Sequence, residues 1–122
     1  MEQMELKLDG KSYTVKLNEN KTVRDILDML PLTLHLQRRG GHEYYDALPE
    51  KPEIAGVPMT SNAHAKGIYY YDGWTAFTVL FGGANISPFR VVHIGDVVED
   101  EIIEHLKKAG ETVLAEVVKQ KS

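Results

Sequence analysis

The chain has 122 residues, a formal net charge of −4 and no cysteine. That length fits one domain able to bury a core unaided, and hydrophobic and charged fractions of 43% and 26% exclude a disordered or low-complexity chain. The lack of thiols removes disulfides, thiolate nucleophiles and cysteine-ligated metal centres from consideration, and scattered lysines on an acidic background leave no broad positive field for nucleic acid. The start, MEQMELKLDG, has acids where an export signal needs a basic end, and no window approaches the ~20 apolar residues of a membrane span. The expectation is a cytoplasmic protein with neither nucleic-acid nor membrane partners.

The pattern opens with a hairpin. Met4, Leu6 and Leu8 alternate with polar residues, Asp9-Gly10 supplies a tight turn, and Tyr13, Val15 and Leu17 alternate again. Val23, Ile26, Leu27 and Leu30 then change the period to that of a helix, with Thr22 and Asp25 as a capping-box-like start and Pro31 as its end. TLHLQRRGGHEYYDAL resumes strand character on both sides of Gly40-Gly41 and reads as a second hairpin.

Residues 49–65, PEKPEIAGVPMTSNAHA, carry three prolines and little periodicity. A loop of that length is a functional segment or a solvated connection over the end of the fold. GIYYYDGWTAFTVLFGG follows as two strands broken at Asp72-Gly73. Phe77, Val79 and Phe81 share one face; Trp74, Ala76, Thr78 and Leu80 share the other, so one face is core and the other must be covered by a helix or a ligand. FRVVHIGDVV is one more strand, EDEIIEHLKKAG a helix with Gly110 as its stop, and ETVLAEVV the closing strand.

Candidate sites are few. His35, His42, His64, His93 and His105 are dispersed, with no i, i+2 strand or i, i+4 helix pair to aim two imidazoles at one ion, so no metal and no cofactor are expected. Glu101, Glu104 and His105 read as a hydrated helix face. Arg38 and Arg39 beside the glycine turn either hold a carboxylate or phosphate or simply charge a hairpin tip. Three consecutive tyrosines must split between faces, which sends some of them to an edge or groove. The binding residues expected are Arg38, Arg39, Tyr44, Tyr69, Tyr71 and Trp74.

LPLTLHL, the aromatic strand pair and the strand-helix passage from Val91 to Leu106 resemble the cyclophilin-like family, especially its small uncharacterised prokaryotic members. The resemblance implies a mainly β fold, a single closed eight-stranded barrel with a short helix at each end. Cyclophilins proper are peptidyl-prolyl isomerases, which lower the ~18–20 kcal/mol barrier to rotation about a peptide bond. Their pocket grips proline with a phenylalanine, a tryptophan and a histidine, and an arginine donates toward the prolyl nitrogen. By gap-free matching, Thr78, Ile86 and Val91 stand at the three pocket positions and Leu36 at the arginine position, with Arg38 two residues on. The resemblance therefore implies the fold more firmly than the activity. A peptide- or small-molecule-binding module is the first expectation, a weak isomerase using Arg38 or Arg39 the rival, and a structural subunit the third.

Overall fold

The computed structural model describes residues 3–120, so Met1 and Glu2 of the acidic start fall outside the described residues. Eight strands close an antiparallel barrel in the order β1, β10, β3, β4, β7, β6, β9, β2. These are β1 (Gln3–Leu8), β2 (Lys11–Leu17), β3 (Leu32–Arg39), β4 (Glu43–Ala47), β6 (Gly67–Tyr71), β7 (Ala76–Leu80), β9 (Val92–Val97) and β10 (Thr112–Lys119). A two-stranded ladder, β5 (Asn62–Ala63) with β8 (Ala84–Asn85), lies outside the barrel. Closure leaves the barrel itself, over the described residues, without an edge strand.

The period-two pattern of the sequence fixes which residues point inward. Met4, Leu6 and Leu8 of β1, Leu34 and Leu36 of β3 and Val113 and Ala115 of β10 are all buried in one core. At the first turn Asp9 and Gly10 take φ of 50° and 88°, the left-handed pair that a tight primed hairpin turn requires. Helices α1 (Lys21–Met29) and α2 (Glu101–Lys108) add Val23, Ile26 and Leu27, and Ile102 and Leu106, to that core.

Helix ends depart from the sequence reading. The cap of α1 is Asn20, whose Oδ1 accepts the Val23 N–H at 2.9 Å. Thr22 and Asp25 instead hold residue 53 of the long loop: the Thr22 hydroxyl donates to the Glu53 carbonyl, and Asp25 accepts the Glu53 N–H. Residues 49–65 are thus pinned to α1, and Ile54, Val57 and Met59 pack against the core. After α2 the chain turns extended at Ala109, φ −71° and ψ 156°, so Gly110 is not a left-handed stop. His105 does not belong to a hydrated face either; its Nδ1 lies 2.7 Å from the Tyr13 hydroxyl, which needs a partner at the buried barrel end.

Among the described residues no helix is long and apolar enough to cross a membrane.

Candidate functional site

Alternation along β6 and β7 divides the aromatic tract. Ile68, Tyr70, Phe77 and Val79 point into the barrel, together with Phe81 just beyond β7. Tyr69, Tyr71, Ala76, Thr78 and Leu80 point outward. The outward face is covered by two connections that hydrogen-bond to each other. Thr60 and Val91 pair backbone to backbone, the Ile86 N–H reaches the Ser61 carbonyl, the Ser61 hydroxyl reaches the Phe89 carbonyl at 2.7 Å, and Asn85 donates to Asn62. Between barrel wall and cover lies a cleft of about 290 Å³.

The floor of this cleft is apolar, with Ala63, Tyr69, Ala76, Thr78, Leu80 and Val91. Its walls are Tyr71, Trp74, Ile86 and Phe89, and one end carries Arg39, His42 and Glu43. Trp74 sits in a short 3-10 turn, Asp72–Trp74, closed by Thr75 with φ of 51°. It is 49% exposed, with Tyr45 and Tyr71 against it at ring separations of 5.7 and 5.5 Å. The Arg39 guanidinium lies 4.1 Å from the Trp74 ring centroid. Burial pushes the Glu43 carboxyl above its ordinary value, although His42, 3.2 Å away, and Arg39 pull the other way.

Arg39, Tyr69, Tyr71 and Trp74 therefore meet at one site, and Arg38 and Tyr44 do not. Both of the latter lie on the inner face at the α2 end. The buried Tyr44 hydroxyl reaches the Gly110 carbonyl at 2.7 Å, and Arg38 donates to the Ala109 carbonyl at 3.2 Å while stacking over Phe81. Residues two apart on a strand share a face, so Arg38 follows Leu36 inward and the cleft arginine is Arg39. By the same rule Tyr45, not Tyr44, is the outward tyrosine. Thr78, Ile86 and Val91, the positions matched by resemblance to the isomerase pocket, all line the cleft. His42, weighed above only as a metal ligand, and Glu43 and Phe89 also line the cleft; in the sequence only their proximity to the glycine turn and to Pro88 marks them.

A second grouping lies beside the floor. His64, His93 and Asp96 place their ligand atoms within 4.8 Å of one another. Both imidazole Nε2 atoms converge on Asp96 Oδ1, at 2.6 Å from His64 and 2.9 Å from His93. Tyr69 joins this group to the cleft. Its ring stacks on His93 with centroids 4.7 Å apart, and its hydroxyl lies 3.1 Å from His64 Nδ1 while accepting the His64 backbone N–H. Burial opposes ionisation of Asp96, yet hydrogen bonds from both histidines outweigh it and hold the carboxyl below its ordinary value. For Tyr69, burial comes first and the Asp96 charge adds to it, so the phenol is held above its ordinary value and stays neutral.

Histidine spacing on regular strands does not reveal this grouping. The β6–β9 register shifts between Ile68 and Tyr69: Ile68 faces Gly95, whereas Tyr69 faces His93. The extra residue, Ile94, is a bulge that turns Asp96 onto the face of His93, three positions away. Glycine is required beside it, since a Cβ on Gly95 would collide with the Lys16 carbonyl.

A model of the cyclophilin-like family matches residues 6–118. The chain belongs to the cyclophilin-like family. Among solved structures, the hypothetical protein AF2241 from Archaeoglobus fulgidus aligns with a TM-score of 0.64 at 21% identity, covering 98% of this chain and 95% of that one. McbB in complex with tryptophan aligns with a TM-score of 0.65 at 14% identity. The alignment covers 98% of this chain and 45% of McbB, so this chain spans under half of that protein's length. At these identities the likeness is one of fold. No curated protein matches the sequence.

Proposed function

We propose that this cyclophilin-like domain binds a small molecule or short peptide in the cleft, laying a flat apolar group on the Ala76–Thr78–Leu80 floor and an anionic oxygen against Arg39. The observation that carries the reading is Arg39 itself. Its guanidinium is held on the Trp74 ring at the mouth of an apolar cleft and, among the described residues, forms no salt bridge, although its charge reaches the neighbouring Glu43 carboxyl. A planar fork of donors kept in place by stacking is suited to a ligand carboxylate. The cavity is at the lower end of the size range of small-molecule sites, which favours a ligand of one or two amino-acid residues. Tryptophan, the amino acid in the McbB complex, has both features and is a natural first probe.

The test is a titration of labelled protein with tryptophan and with an Ala-Pro peptide, followed by amide chemical shifts. Saturable shifts confined to Thr78, Ile86, Val91 and their neighbours support the reading, and Arg39→Ala should weaken binding roughly 10–100-fold by removing a charge-assisted pair. Shifts that never saturate, or that cluster elsewhere on the barrel, would overturn it.

Arg39 in the cleft also favours a second reading, prolyl isomerisation. Exchange spectroscopy on the same peptide separates the two. Threonine, isoleucine and valine at the pocket positions predict binding without faster exchange, whereas acceleration that scales with protein and vanishes in Arg39→Ala would establish the isomerase.

A further inference from the structure

The His64, His93 and Asp96 group contains the chemistry of a metal site, which histidine spacing along the sequence does not reveal. Two imidazoles and one carboxylate are the ligand set of open zinc centres and of non-haem iron centres, in which three protein ligands leave positions for water or substrate. The three side chains come from separated parts of the chain, a loop and both sides of a bulge, yet their ligand atoms converge within 4.8 Å. Metal–ligand bonds of ~2.0–2.2 Å at tetrahedral angles set ligand atoms roughly 3.3 Å apart, so each imidazole nitrogen would move out from its 2.6 or 2.9 Å contact with Asp96 Oδ1 by less than about 1 Å.

The surroundings are built to hold that geometry. Tyr69 stacks on one imidazole and hydrogen-bonds Nδ1 of the other, the outer contact that fixes which nitrogen faces the ion. Gly67 lets the chain turn tightly there, since a Cβ would strike the Tyr69 ring and lie 2.9 Å from the His64 carbonyl. The adjacent Lys66 ammonium is engaged by Asp100 and the Val98 carbonyl, so it does not compete for Asp96. His64 and Asp96 side chains are 57% and 45% exposed, which leaves an approach from solvent.

We propose that His64 Nε2, His93 Nε2 and Asp96 form a mononuclear site for a divalent first-row transition cation, zinc being the representative ion, next to the ligand cleft.

The experiment takes the full chain, stripped with chelator, and titrates it with zinc against a chromophoric competitor and with cobalt(II) by visible absorption. One equivalent should bind at micromolar concentration or tighter, with cobalt d–d bands and a higher melting temperature. His93→Ala and Asp96→Asn should weaken zinc about 100-fold or more, Tyr69→Phe 10–100-fold as an outer-contact change, and His35→Ala not at all. His64→Ala, at the most exposed ligand, serves if the other variants do not fold. In the unaltered protein, zinc should shift the imidazole nitrogens of His64 and His93 in long-range proton–nitrogen spectra and leave His35 unmoved. Absence of a stoichiometric ion, or equal affinity in the ligand variants, would overturn the site and show the trio to be a hydrogen-bonded brace. Neither result depends on whether the cleft binds tryptophan.

Discussion

Arg39 lies with its guanidinium carbon 4.1 Å from the centre of the Trp74 ring, joining the second hairpin to the turn between β6 and β7. The contact holds a cation over the one indole of the chain at the cleft mouth. Because Trp74 is half exposed, its emission in the free protein should be red-shifted and accessible to acrylamide. A non-indole carboxylate ligand such as N-acetylphenylalanine should alter the emission, and Trp74→Ala should weaken binding more than it lowers the melting temperature. Blue-shifted, unquenchable emission would mean that the ring is buried as wall.

Phe77 tests the opposite face. It is fully buried inside the barrel, so Phe77→Ala should cost about 3–5 kcal/mol by opening a cavity. Denaturant unfolding measures this. Since the ring points away from the cleft, the folded variant should keep its affinity for cleft ligands.

Tyr44→Phe isolates one hydroxyl. That group donates to the Gly110 carbonyl at 2.7 Å, with the Leu106 and Ala109 carbonyls also within reach, and accepts from Arg38, tying the end of α2 to the barrel. Removing it leaves the Gly110 carbonyl short of a donor and should destabilise the fold by about 1–3 kcal/mol. Binding in the cleft should be unchanged, which separates Tyr44 from the tyrosines that line it.

Glu43 predicts a pH effect. Burial raises its folded pKa above the ordinary 4.5. The folded state then binds the proton more tightly than the unfolded chain, so this group's contribution to stability falls as pH rises from that value through the folded pKa. Glu43→Gln should therefore be the more stable protein at neutral pH, and the gap should close in acid, below the unfolded pKa. A gap that instead widens in acid would show that the His42 contact dominates.

Much of the barrel was legible because it follows from local alternation. Met4, Leu6 and Leu8 and the split of Phe77 and Val79 from Thr78 and Leu80 depend only on side chains taking turns across a strand, and the Asp9-Gly10 turn on its residue types; Trp74, in the 3-10 turn Asp72–Trp74, lies outside that alternation. Knowing which strand face is inside is harder. Arg38 and Tyr44 were placed with the cleft residues because a glycine turn and two arginines look alike from either face; closure of the barrel turned those two inward and left Arg39 and Tyr45 outside.

Composition and period alone determined a β-rich fold, with an aromatic strand pair apolar on both faces. Tertiary structure decided what covers the outer face, a pair of loops tied together at Thr60 and Val91, and hence that a cleft exists at all. It also decided the histidine cluster. His64 is 29 residues from His93, and Asp96 falls on the wrong face of a regular strand, so only the bulge at Ile94 and the long-range β6–β9 pairing bring the three together. Periodicity reports the direction of a side chain relative to its own strand; it carries no information about where a register shifts or which distant strand lies alongside.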